Sequence, residues 1–302
     1  MRKIALFIAM LLSVVALHAQ GDLHIYTVDN KDGKIAPKML EDALAKNGFT
    51  IGINSDIHDG LSKMYKESSF KIYNAISIYH NEISMELLKE HADAGVFSPM
   101  GVTIYQGAKE DSIHISVLTA AAQAKILGHK AKALVKLEKA IATVITTLFP
   151  KATHSYSEDS LKESRDLITK YTQELHANDW EDAKDELEEN FEDKFKEVGF
   201  VMPSYFDFSE NFGKDSPYDF YVTYSICKIE VIKAVSEARP EAAAFAPCTT
   251  MVYKKKDEDR ITMGFSSVYN WMSSAKIVDS ASHDALMKAQ TDFEGVLKDV
   301  TK

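Results

Sequence analysis

The sequence predicts an α+β protein built as two similar small domains in tandem, each a mixed or antiparallel sheet packed by helices. Two observations carry this. Four blocks recur in one order: LEDALAKNGFTI (40–51) with FEDKFKEVGFVM (191–202), FKIYNAISIYHNEI (70–83) with YDFYVTYSICKIEV (218–231), FSPMGVTIY (97–105) with FAPCTTMVY (245–253), and AKIL (124–127) with AKIV (275–278). Their offsets of 148 to 151 residues are too regular for chance. Within each half, β-rich runs alternate with helical periodicity, as small α+β domains require.

The elements follow in order. LHIYTV (23–28) reads as a first strand. A helix in each half then ends at Gly48 or Gly199, where glycine suits a left-handed cap before a strand. Strands are expected over 70–80 and 218–227 and short helices over 82–93 and 229–238. A further strand starts just after Pro99 or Pro247, where a missing N–H is tolerated. QGAKEDS and KKKDED turn that strand into its hairpin partner. Each half closes on an amphipathic helix, with Leu134, Leu137, Ile141, Val144, Ile145 and Leu148 matched by Leu286, Ala289, Phe293, Val296, Leu297 and Val300.

Between the halves, 157–197 consists almost entirely of helix formers, with Asn178 and Glu181 as a capping box and Trp180, Ala183, Leu187, Phe191 and Phe195 as an apolar stripe on an acidic helix. The expected domains are therefore 20–150 and 179–302, joined by a helical linker over 151–178. The second half shows no counterpart of LHIYTV, so its sheet is expected to lack that strand or borrow one. Duplication also predicts a pseudo-twofold arrangement, a monomer that is a covalent version of a homodimer.

The first 19 residues carry Arg2 and Lys3, an apolar run over 4–17 and a small residue, Ala19, at a cleavage position. That is the pattern of a signal peptide, with a run too short to span a bilayer. The expected location is periplasmic, or secreted from a cell with one membrane. Cleavage removes two basic residues and leaves 33 Lys+Arg against 45 Asp+Glu, a net charge of −12. A chain this acidic repels phosphate backbones, so nucleic acid is not an expected partner.

Glycine-Phe before a strand, Cys227 at the end of the next, and Ala246-Pro247-Cys248 opening a Val/Tyr-rich hairpin together resemble the domain-of-unknown-function-302 family (DUF302). The resemblance spans about 40–117 and 191–265. It implies a small α+β domain, sometimes in tandem, with a habit of pairing, and it implies no activity. The first half departs at both cysteine positions, with Tyr79 opposite Cys227 and Met100 opposite Cys248.

Two features of the second half are candidates for function. Cys227 and Cys248 are the only cysteines. In an oxidising compartment they could form a disulfide, remain two buried thiols, or act as a redox pair. A parallel crossover between their strands would keep them apart and an antiparallel one would bring them together. The second feature is the aromatic connection Tyr205, Phe206, Phe208 and Phe212, whose counterpart GINSDIHDGLSKMYKE is mostly polar. Such rings can line an apolar ligand pocket or plug a domain seam.

No other motif points to chemistry. The histidines show no zinc-binding spacing. VDNKDGKI (28–35) resembles a calcium loop, but Val28 and Met39 would fall at its first and last ligand positions. No phosphate loop or nucleophile elbow is present. No cofactor or metal is predicted. The leading expectation is an exported, non-enzymatic protein that binds a small apolar ligand or a protein partner, in the second half or at the interface. The alternative is a thiol-dependent redox protein using Cys227 and Cys248.

Overall fold

The computed structural model describes residues 21–162, 165–175 and 180–302; the expected signal peptide and Asn178 of the capping box lie outside them. The first half runs β1 (Leu23–Asp29), α1 (Pro37–Lys46), β2 (Phe49–Asp56), α2 (Ile57–Tyr65), β3 (Phe70–His80), α3 (Ile83–Glu90), a 3-10 helix (Ala92–Phe97), β4 (Met100–Gly107), β5 (Ser112–Leu118), α4 (Ala120–Leu127), α5 (Lys132–Leu148) and β6 (Thr153–Tyr156). The second continues with β7 (Ile168–Glu174), α6 (Trp180–Glu197), β8 (Val201–Asp207), a 3-10 helix (Glu210–Asp215), β9 (Tyr218–Cys227), α7 (Ile229–Ser236), a 3-10 helix (Pro240–Phe245), β10 (Cys248–Lys255), β11 (Arg260–Ser266), α8 (Tyr269–Ser274) and α9 (Ser280–Val300).

Both sheets are antiparallel and share one order. The first is β2-β3-β4-β5-β1-β6 and the second, read in the same sense, β8-β9-β10-β11-β7. The two hairpins therefore occupy the same place, and the repeat holds strand by strand. Gly48 and Gly199 have φ of +85° and +80°, so the turn from helix to strand is made in each half where a Cβ would be strained.

One expectation needs correction. Residues 153–156 and 168–174, within the segment read as a helical linker, form β6 and β7. β7 takes the position of β1, pairing antiparallel with β11 from Ser266↔Ile168 to Arg260↔Glu174. The second sheet thus has its missing strand, formed from the segment read as linker. β6 adds to β1, pairing Tyr26 with His154 and His24 with Tyr156. Hydrogen-bonding partners far along the chain override the local helix preference here.

The stripes on α5 and α9 are buried as their spacing predicts, Leu134 to Ile145 and Leu286 to Leu297. Six consecutive residues of β3 and seven of β9 are buried, so both faces of each sheet are covered. Helices cover one face, and the other half's 3-10 helix supplies the rest: Ala92–Phe97 packs on β10 and β11, Pro240–Phe245 on β4 and β5.

The seam between the halves is reciprocal. Tyr73 donates to the carbonyl of Pro240 at 3.1 Å, and its counterpart Tyr221 donates to the carbonyl of Ala92. Thr249 donates to the carbonyl of Pro99 at 2.6 Å. Its counterpart is Gly101, where a Cβ would collide with the carbonyl oxygen of Ala246. The peptide bonds before Pro99 and Pro247 are both cis. Such a mutual exchange of one loop is what a two-fold relation demands. Among the described residues no helix is long and apolar enough to cross a membrane.

Candidate functional site

The aromatic connection lies on β8 and along the seam with the first half. Tyr205 and Phe206 lie on β8, and Tyr205 is 46% exposed. Phe206 and Phe208 meet the first half's Tyr79 edge-on at 4.9 and 5.0 Å. Phe208 and Phe212 are buried, Phe212 against Tyr218 and Tyr221. Three of these rings, Phe206, Phe208 and Phe212, fill the space between or beside the sheets, because apolar area there is removed from water by the other half.

The cysteines sit on adjacent antiparallel strands, with Cys248 paired to Ile226, the residue before Cys227. Both are partly buried and unbonded. They border one small apolar void with Phe200, Ile232, Trp271 and Phe293, about 10 Å³, too small for a ligand. Burial pushes the Cys227 thiol up to about 11 and Cys248 up to about 12. A reactive thiol needs a nearby cation to favour the thiolate. Lys228, which borders the same void, donates to the carbonyl of Val198 at 2.8 Å and lies 3.6 Å from Asp292.

A concavity of about 740 Å³ lies in the first half, between α4 and α5. Ala120, Ala121, Ala124, Ala131 and Val135 form its apolar wall. Local sequence shapes it. Thr119 caps α4 by accepting from the N–H of Ala122 at 3.0 Å, and Gly128 ends the helix with φ +70°. The second half has a three-residue-longer stretch here, SVYNWMSS against TAAAQ, and buries Trp271 in it.

A second cavity of about 470 Å³ lies at the seam, lined by His91, Asp93 and His129 of the first half and Lys170, Tyr253 and Arg260 of the second. Most of its charges pair with one another: Lys170 with Asp93 at 2.7 Å, and Lys255 and Arg260 each with Glu258 at 2.9 Å. The alanine-lined cavity is mostly apolar, and a carboxylate on its wall is held by one oxygen only.

That carboxylate is Glu138 on α5. Its Oε1 accepts from the N–H of Ala120 at 2.8 Å and lies 2.7 Å from His24 Nε2. His24 Nδ1 in turn lies 2.9 Å from Nε2 of His154 on β6. His24 is buried, and His154 is exposed beside the rings of Tyr26 and Tyr156 at 4.9 and 4.8 Å. The bond from His24 holds Glu138 below the usual carboxylate range, against the opposing effect of burial. Desolvation is the main cause holding His154 below the usual histidine range. The three residues form one hydrogen-bonded chain from solvent to the cavity wall.

Sequence reading sets these histidines aside, because 114 and 130 residues separate the bonded pairs and no local spacing marks them. One signal was available. In the stripe alignment Glu138 falls opposite Gln290, a charge replaced by an amide at one position of two matched helices.

A family model described as "Domain of unknown function DUF302" matches residues 24–148 and again residues 177–300. A solved structure described as an uncharacterized conserved protein DUF302 from Bacillus stearothermophilus is 19% identical, covering 40% of this chain and 94% of that chain with a TM-score of 0.34. No curated protein matches the chain.

Proposed function

Since the chain belongs to the DUF302 family, whose description assigns no function, its role has to be read from its own site, and we propose an exported, non-enzymatic protein that binds a small, partly apolar molecule between α4 and α5. The observation that supports this is the cavity of about 740 Å³ with its alanine and valine wall. That volume falls within the range of small-molecule sites, which are mostly apolar with a few placed polar groups. The two thiols favour a redox role less, as both are pushed towards the protonated form. Export rests on the signal-like first 19 residues.

A neutral apolar fluorophore such as Nile red tests the cavity. It should bind saturably with one equivalent per chain. Ala121→Trp, a change at an exposed wall position, should abolish binding and leave Tm unchanged. Undiminished binding by that variant would refute the site. Intact mass of material exported by the native host tests the leader, since retained residues 1–19 would refute export.

A further inference from the structure

We propose that Glu138 is the polar anchor of this cavity, that it receives the cationic head of an amphipathic amine, and that His24 and His154 make the binding proton-linked. The inference rests on the cavity reading above and adds the ligand's chemical class and its control.

Glu138 Oε1 carries both of the residue's hydrogen bonds, while Oε2 has no partner among the described residues and the side chain keeps 26% of its surface. A charged carboxylate with an open acceptor, set in an apolar wall, selects a donor, and a charged donor most strongly. The cationic residues lining the cavity, Lys125 and Lys130, do not neutralise it. Lys125 donates to the carbonyl of Leu161, and Lys130 is exposed. The walls of Ala120, Ala124, Ala131 and Val135 would take an alkyl or aryl body beside that head.

The second half supplies the control. Gln290 stands where Glu138 stands: its Oε1 accepts from the N–H of Val268 at 2.9 Å, as Glu138 accepts from Ala120. Its Nε2 donates to Thr169 Oγ1 at 3.0 Å, and Thr169 occupies on β7 the place of His24 on β1. The amide also reaches Glu294 at 2.6 Å. The scaffold role of the position is therefore met by a neutral residue in one half. The first half has in addition a charge, an open oxygen and an imidazole chain, none of which the shared fold requires.

The chain also has a defined proton capacity. With both imidazoles neutral, His154 Nε2–H donates to His24 Nδ1 and His24 Nε2–H donates to Glu138 Oε1. A proton arriving at the Nδ1 of exposed His154 lets its Nε2 proton pass to His24 Nδ1, which leaves an imidazolium on His24 facing Glu138. The result is an imidazolium–carboxylate pair at the cavity wall. A second proton cannot be held: with both imidazoles charged, the two facing nitrogens both carry hydrogens and the 2.9 Å bond is lost. The other groups facing the chain are Tyr26 of β1 and Tyr156 of β6, with the Ala120 N–H at the start of α4. Burial pushes Tyr26 up to about 12, so it stays neutral. Acid therefore sets a cation beside the carboxylate and weakens its hold on the amine.

The test compares two dansyl probes on the whole protein, one with a pentylammonium tail and one with a hexanoate tail. We expect tighter binding of the ammonium probe at pH 7.5, by about ten- to a hundredfold, the effect of one charge-assisted hydrogen bond. Glu138→Gln should erase the preference and leave Tm close to that of wild type, since Gln290 shows the amide to be compatible. Lowering the pH from 7.5 to 5 should weaken the ammonium probe in wild type and not in Glu138→Gln, and His154→Gln should flatten that dependence. Equal binding of both probes with no effect of Glu138→Gln would overturn the anchor and leave the cavity reading standing. Binding of neither probe, together with failure of Nile red, would overturn both.

Discussion

The two halves share a strand order and a loop exchange, yet they differ in how they fill the space beside the closing helix. The second half packs it with Trp271 and holds its turn with the neutral Gln290. The first half leaves a cavity walled by alanine and places Glu138 there, backed by two histidines. The lesson is that duplication supplies an internal reference: what both halves keep belongs to folding, and what only one keeps is open to another use. The cysteines and rings of the second half are one-sided too, but the cysteines border a void too small for a ligand and Phe206 and Phe208 meet Tyr79. The ionisable chain of the first half instead opens on a cavity.

Four sets of substitutions test the difference between the halves. The largest effect is expected at the seam. Gly101→Val should cost about 3 kcal/mol or more, because the side chain meets the backbone of residues 244 and 246, while Thr249→Val at the matching position should cost about 1 kcal/mol for one lost hydrogen bond. Urea midpoints of the two variants measure this, and equal losses would show that the loops are not exchanged as described. Next, Gln290→Glu should destabilise by about 2 kcal/mol, since it sets a carboxylate against Glu294, whereas Glu138→Gln should cost under about 1 kcal/mol. The reverse order in Tm would remove the distinction drawn between the halves.

Tyr73→Phe and Tyr221→Phe each delete one seam hydrogen bond to a backbone carbonyl and should each cost about 1 kcal/mol. Losses that differ by more than about twofold would break the reciprocity. The smallest effect concerns Glu241, whose carboxyl burial raises above the usual range. A raised folded value means stability that is full below the unfolded pKa and lost as pH rises through the folded one. Glu241→Gln should therefore stabilise by about half a kcal/mol at pH 7 and flatten the Tm profile on the alkaline side of the usual glutamate range. A profile unchanged by the substitution would refute the assignment.

Much of the fold was legible because its pattern is local. The apolar spacing of α5 and α9, the glycines at 48 and 199 and the paired hairpins each carry their own signal. β7 was not legible: ITKYTQE alternates, but it lies between polar helix formers, and only its seven-residue ladder with β11 makes it a strand. Phe206 and Phe208 looked like a ligand surface because Tyr79, which meets them, lies more than 120 residues away in the chain. For the same reason nothing near His24 announced Glu138 or His154. Chemistry assembled by topology leaves no spacing to read, except where a duplicate exposes a substitution such as Glu138 for Gln290.

The connection between the halves has a thermodynamic consequence. Asp22 accepts hydrogen bonds from the N–H of Leu161 and the hydroxyl of Ser274, so the chain between β6 and β7 is pinned to the first strand and to the second half. A short tether gives the two surfaces an effective concentration in the millimolar range. Holding them together then takes only about 4 kcal/mol of intrinsic affinity, the value for a millimolar complex. A seam built of tyrosine hydroxyls on backbone carbonyls is sufficient at that level, where two separate chains at micromolar dilution would drift apart. Connectivity substitutes here for stickiness.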